Sequence, residues 1–153
     1  MKKKYFQTKV NRNFSIAMVW INGGSSTDIE GKKGLNQILC SLFSRGCKGF
    51  KNLAFSEYID FYGAELNLET FEDGMLISLK SLDEHFLKLF PFINLIINNP
   101  LLLESEFQNV KETTINFLKK EKENPFNIVF EKWRKLVYTK HPYAYNSYGY
   151  EQD

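Results

Sequence analysis

The sequence predicts an α+β domain in which an antiparallel sheet carries helices on one face. Three observations predict it. Apolar residues alternate with others over residues 14–21 and again over 65–70, the period of strands. Glu72-Asp73-Gly74 separates the second alternating run from a third over residues 75–80, so these two read as an antiparallel hairpin. Elsewhere apolar residues recur every three or four positions, the period of amphipathic helices. No internal repeat or linker interrupts the pattern, and residues 1–153 read as a single domain.

In the first strand Phe14, Ile16, Met18 and Trp20 form a strongly apolar face, and Ser15, Ala17, Val19 and Ile21 a second that is partly apolar. Gly23-Gly24-Ser25-Ser26 ends the strand, and residues 28–33 read as a loop. Gly34 leads into Leu35, Ile38, Leu39, Leu42 and Phe43, a helix with one buried face that Gly46 is placed to end. Residues 54–62 predict a short helix with Phe55, Tyr58, Ile59 and Tyr62 on one side, closed by Gly63. In the hairpin, Leu66, Leu68 and Thr70 alternate with Glu65, Asn67 and Glu69, which makes a half-exposed strand.

Ser81-Leu82-Asp83-Glu84 has the form of a capping box opening a helix to about Asn98. Pro91 falls inside that helix, where the lost hydrogen bond costs about 3 kcal/mol and should kink it. Asn98-Asn99-Pro100 ends it. Phe107, Val110, Thr114, Phe117, Leu118 and Glu121 mark a long helix, with Phe117 as a core aromatic. Phe126, Val129, Phe130, Trp133, Leu136 and Val137 mark another just after Pro125. The tail from Thr139 is rich in tyrosine and has no clear period.

Composition narrows the function. The formal net charge is +2, and the one basic run is residues 1–4, a solvated terminus, so nothing in the charge points to nucleic acid. The apolar run after it is short and no A-x-A site follows, which argues against a signal peptide. No stretch approaches the ~20 apolar residues of a membrane span. Were Cys40 and Cys47 on one helix, they would lie about 10 Å apart along its axis, too far for a disulfide. Two reduced thiols and the lack of a signal or span predict a cytoplasmic protein.

Several short words then recur in a fixed order. They are Gly24-Ser25-Ser26, Gly34-Leu35, Phe43-Ser44-Arg45-Gly46-Cys47, the run from Tyr62 through Gly63 and Ala64 to Glu65–Thr70, Asn98-Asn99-Pro100, Glu123-Asn124-Pro125 and His141-Pro142-Tyr143. In this order and spacing the chain resembles the N-terminal half-domain of the insulinase (pitrilysin, mitochondrial processing peptidase) family of zinc peptidases, from about Phe14 to Gly149. The resemblance implies H-x-x-E-H on the first helix. There, two His four apart hold Zn²⁺ and the Glu activates the metal-bound water. A third ligand, a Glu, comes from the long helix.

Aligned on Gly34-Leu35 and Gly46, those positions are Gln37, Cys40 and Ser41; aligned on Glu123-Asn124-Pro125, the third ligand falls at Phe117 and a supporting Glu at Val110. Gln37 offers an amide, Ser41 a neutral hydroxyl and Phe117 no donor, and Cys40 stands in the base position. The chain's two histidines, His85 and His141, fall elsewhere. No zinc cofactor and no catalytic residue is therefore expected. The resemblance also implies that the strand of Glu65, Leu66, Asn67, Leu68 and Glu69 pairs with substrate backbone, which needs no metal. Leu68 is bulkier than the residue often found there, and a merely structural edge is the other reading of this strand.

These observations imply a non-catalytic partner of a zinc peptidase, a second half-domain or catalytic homologous subunit completing the chamber, with extended peptides as possible ligands. The alternative is a free-standing peptide-binding or scaffold protein; a lone active zinc peptidase comes last. The resembling half-domains continue past His-Pro-Tyr into further strands. A fragment of a longer protein, truncated at its C-terminus with an exposed sheet edge, is accordingly expected.

Overall fold

A computed structural model describes Thr8 and residues 12–153; the basic run at residues 1–4 lies outside them. The order of elements is β1 (Phe14–Asn22), a 3₁₀ turn (Ser25–Thr27), α1 (Leu35–Phe43), β2 (Gly46–Cys47), β3 (Phe50–Lys51), α2 (Asn52–Phe61), β4 (Glu65–Thr70), β5 (Gly74–Leu82), α3 (Asp83–Asn98), α4 (Glu104–Glu121), α5 (Pro125–Tyr138) and a second 3₁₀ turn (Pro142–Ala144). The α+β class is as the sequence predicts. The principal sheet is antiparallel with order β1-β5-β4, so β1 and β4 are its edges.

Register decides which face of each strand is inside. Val19 and Leu68 both stand opposite Ile77, and Ala17 and Leu66 both stand opposite Leu79. Met75, Ile77 and Leu79 of central β5 are buried and join Leu89, Ile93 and Ile96 of α3 and Cys40 and Phe43 of α1 in one core. β1 must follow that register, so Ala17, Val19 and Ile21 pack against the core. The strongly apolar set Phe14, Ile16, Met18 and Trp20 is exposed instead, with Met18 68% accessible. The more apolar of the two faces is thus the one turned away from the core.

Further local expectations are corrected. Ser81 is buried in β5 and its hydroxyl donates to the Leu82 carbonyl, so no capping box forms. The acidic start of α3 is engaged differently: the Ser15 hydroxyl donates to the Asp83 carboxylate at 2.6 Å, tying β1 to the helix. α3 runs through Pro91 as one helix. α1 stops at Phe43, before Gly46, and a small β2–β3 hairpin follows that the sequence pattern did not signal. Cys47 lies on β2 rather than on a helix, and both cysteines are buried and unpaired. Leu35 opens α1 exposed rather than on its buried face. α5 begins as expected at Pro125, with the Asn124 side chain accepting from the Phe126 amide at 3.0 Å. Its apolar stripe, however, faces outward, and none of its residues is buried.

Candidate functional site

Two elements position the candidate site: α1, which carries the aligned catalytic positions, and edge strand β4, which packs beside it. The start of α1 is built by a residue from the preceding loop. Asp28 is 6% exposed, and its carboxylate accepts from the Gly34 amide at 2.8 Å, the Asn36 amide at 2.9 Å and the Asn36 side chain at 2.7 Å. A carboxylate on the free amides at a helix N-terminus satisfies donors that would otherwise be orphaned. No local pattern marks Asp28, because it reaches across six residues of loop.

The tail then crosses this helix start. Gly34 has φ +94°, and a Cβ there would collide with the Tyr148 carbonyl; a Cβ on Gly149 would collide with the Lys33 carbonyl. The Tyr148 ring in turn rests on the Phe117 ring, centroids 4.5 Å apart. α4 packs against α1 through this region, with Val110 buried at 3%. Phe117 itself is 36% exposed, a surface aromatic under the tail and not the core aromatic that the periodicity suggested.

Gln37 and Ser41 are half-buried on α1, while Cys40 is 2% exposed. Burial pushes the Cys40 thiol above its ordinary range, and the Glu69 carboxylate adds to the rise. A thiol held protonated in this way is a poor proton acceptor at neutral pH. Cys40 belongs to the core cluster against which Leu66 and Leu68 of β4 pack, so the base position lies on the inner side of this strand. An amide, a hydroxyl and a phenyl ring do not make a zinc ligand set. Among the described residues no three His, Cys, Asp or Glu side chains gather as a metal site. His85 packs on Tyr62 with centroids 5.0 Å apart, and His141 Nδ1 accepts from the Tyr143 amide, so each is engaged locally.

On β4, Glu65, Asn67 and Glu69 point to solvent, and Leu66 and Leu68 pack against the core. The bulk of Leu68 is therefore turned under the sheet and does not stand over the free backbone edge. Glu65 accepts from Asn67 at 2.8 Å and lies 3.8 Å from the Lys80 ammonium. An open pocket of about 500 Å³ adjoins the start of β4, lined in part by Ser44, Arg45, Asp60 and Glu65. Arg45 Nε is buried there without a hydrogen-bond partner. No single stretch of sequence marks this pocket, since its walls come from the turn after α1, from α2 and from the start of β4.

No helix among the described residues is long and apolar enough to cross a membrane. No curated protein compared with the chain matches it. Among solved structures, the fold is similar to a peptidase M16 inactive domain from Pseudomonas fluorescens, at 21% identity and a TM-score of 0.81 over 89% of this chain and 33% of that one. It is also similar to a protease from Helicobacter pylori, at 19% identity and a TM-score of 0.85 over 92% of this chain and 34% of that one. The chain thus spans about a third of the length of these neighbours. The family model of insulinase, peptidase family M16, matches residues 5–149, nearly the whole sequence, and the chain belongs to that family.

Proposed function

We propose that this chain is a non-catalytic half-domain of the insulinase family that offers the free edge of β4 to an extended peptide and works with a second half-domain. The observation that carries the reading is β4 itself, a sheet edge unpaired among the described residues and lying beside a helix whose aligned positions hold Gln37, Cys40 and Ser41. Strand addition uses main-chain donors and acceptors, so it survives the loss of every metal ligand. The peptidase M16 inactive domain among the structural neighbours supports the non-catalytic part, and the greater length of both neighbours supports the partner.

Amide hydrogen exchange of the chain with and without a library of unstructured peptides tests the pairing. Protection is expected across residues 65–70. Successive strand amides point to opposite sides, so of Asn67→Pro and Leu68→Pro one strikes the β5 ladder and the other only the free edge. The edge variant should fold and lose the protection; retained protection in both folded variants would count against strand addition. The wild-type chain is also expected to hold no stoichiometric zinc after dialysis against zinc-containing buffer. About one zinc per chain, lost in a Gln37→Ala, Ser41→Ala variant, would overturn that expectation.

A further inference from the structure

The direction of hydrogen bonding within β4 decides what a strand added to it would meet. At the β4–β5 turn the Phe71 amide donates to the Gly74 carbonyl at 2.7 Å. Antiparallel ladders alternate, so along the same register Glu69, Asn67 and Glu65 direct their backbone groups toward Leu76, Ser78 and Lys80 of β5. The backbone groups of Leu66, Leu68 and Thr70 therefore point away from the sheet, and no strand among the described residues pairs with them. Side chains alternate the other way, with Glu65, Asn67 and Glu69 on the solvent face. An antiparallel strand bonded to Leu66, Leu68 and Thr70 would place every second residue directly opposite Glu65, Asn67 or Glu69. These are non-hydrogen-bonded pairs, in which side chains come closest, with Cα atoms about 4.5 Å apart.

The chemistry of that row selects its neighbour. Glu69 has no ion pair and no side-chain hydrogen bond among the described residues, and its β5 neighbour is the uncharged Leu76. Glu65 lies 3.8 Å from the Lys80 ammonium, but both side chains are more than half exposed, a loose pair that leaves the carboxylate able to accept from a further donor. In the pocket at the start of β4 the carboxylates of Asp60 and Glu65 outnumber the Arg45 guanidinium. The same row disfavours other occupants. Two copies of the chain paired antiparallel about Asn67 would set Glu65 against Glu69 of the other copy, and like charges directly opposite destabilise a sheet. An acidic strand would meet the same repulsion.

We propose that the β4 edge selects extended peptides with basic side chains four residues apart on the face that meets Glu65 and Glu69, these two glutamates being its specificity-determining residues. This rests on the strand-addition reading above: the free backbone of Leu66, Leu68 and Thr70 holds the strand, and the carboxylates choose among strands. The test uses the full chain and two labelled peptides of about eight residues, enough to cover the six residues of β4. Both alternate Thr and Val and differ at two positions, four apart, that carry Lys in one and Glu in the other. Fluorescence anisotropy at low salt should show about tenfold tighter binding of the Lys peptide, a difference that shrinks as salt is raised. The chain's own net charge of +2 favours the Glu peptide at long range, so a preference for Lys reports groups close to the bound strand.

Glu69→Lys, at an exposed position, should leave circular dichroism unchanged and weaken the preference. Glu65→Lys and Glu69→Lys together should reverse it, so that the Glu peptide binds tighter. A preference for Lys that survives the double variant would overturn the proposal. So would one that survives Leu68→Pro, the substitution that strikes only the free edge, since the basic peptide would then bind elsewhere. Equal binding of both peptides, with exchange protection at β4, sinks the charge selection and leaves strand addition standing. Absence of protection with either peptide sinks strand addition, and the selection with it.

Discussion

Gly34→Ala should destabilise the chain by about 3–5 kcal/mol, read as a lowered urea midpoint. Two effects combine at this position. The backbone sits at φ +94°, where a side chain is strained, and the added methyl would meet the Tyr148 carbonyl of the crossing tail. Neither neighbour is the flexible end of a side chain, so relief requires moving the tail or the start of α1. Gly31 supplies the control: it also has positive φ, +77°, but a Cβ there meets nothing within 4 Å. Gly31→Ala should therefore cost only about 1 kcal/mol. Gly149→Ala attacks the same crossing from the other side, through the Lys33 carbonyl. The double variant Gly34→Ala, Gly149→Ala should lose less than the sum of the single losses, because the first substitution already opens the contact that the second would strain. Full additivity would mean that the crossing is not a single closely packed feature.

Rebuilding the family's zinc cluster should give a protein that is less stable than the wild type without metal and responds to zinc. The variant is Gln37→His, Cys40→Glu, Ser41→His and Phe117→Glu. Gln37 and Ser41 are four apart on α1, so both His leave one helix face, and α4 packs alongside to bring the fourth position. The principal destabilisation comes from Cys40, which is 2% exposed and would become a carboxylate, and less from Phe117, which is already at the surface. With zinc at a hundred times its dissociation constant, binding should restore about 2.7 kcal/mol, on the order of 5–10 °C in melting temperature for a chain of this size. The wild type should not shift. A folded variant without a zinc-dependent rise would show that these four positions do not converge, and the alignment of Phe117 would fall first, since Tyr148 lies against its ring.

Much of the scaffold was legible in residue order. Gly34 before the apolar spacing of α1, Pro125 at the start of α5, Glu72-Asp73-Gly74 between β4 and β5, and Asn98-Asn99-Pro100 after α3 are local signals, and local backbone chemistry decides where such elements begin and end. The half-exposed pattern of β4 also survived, because strong alternation leaves only one face fit for burial. The capping box failed for the converse reason. Ser81 could cap a helix or continue a strand, and pairing opposite Ser15 in the ladder decided for the strand.

What the sequence by itself determined is therefore the class, the order of the helices and of the three strands of the principal sheet, and the identity of the residues at each aligned position, including the absence of His from α1. Where an element has two faces fit for burial, or a stripe with no partner, tertiary structure alone decided which side meets the core. In β1 both faces are apolar enough to be buried, and only register against β5, whose Ser78 and Lys80 bar its other face, sends Phe14, Ile16, Met18 and Trp20 outward. In α5 the period names a stripe but not a partner, and the tie from Arg134 to Glu72, 62 residues away, turns that stripe to solvent. Likewise Asp28 at the start of α1, and the passage of Tyr148 and Gly149 over it, join segments that no sequence window contains. A one-dimensional pattern records how often apolar groups recur; the direction in which they point is fixed by contacts between distant residues.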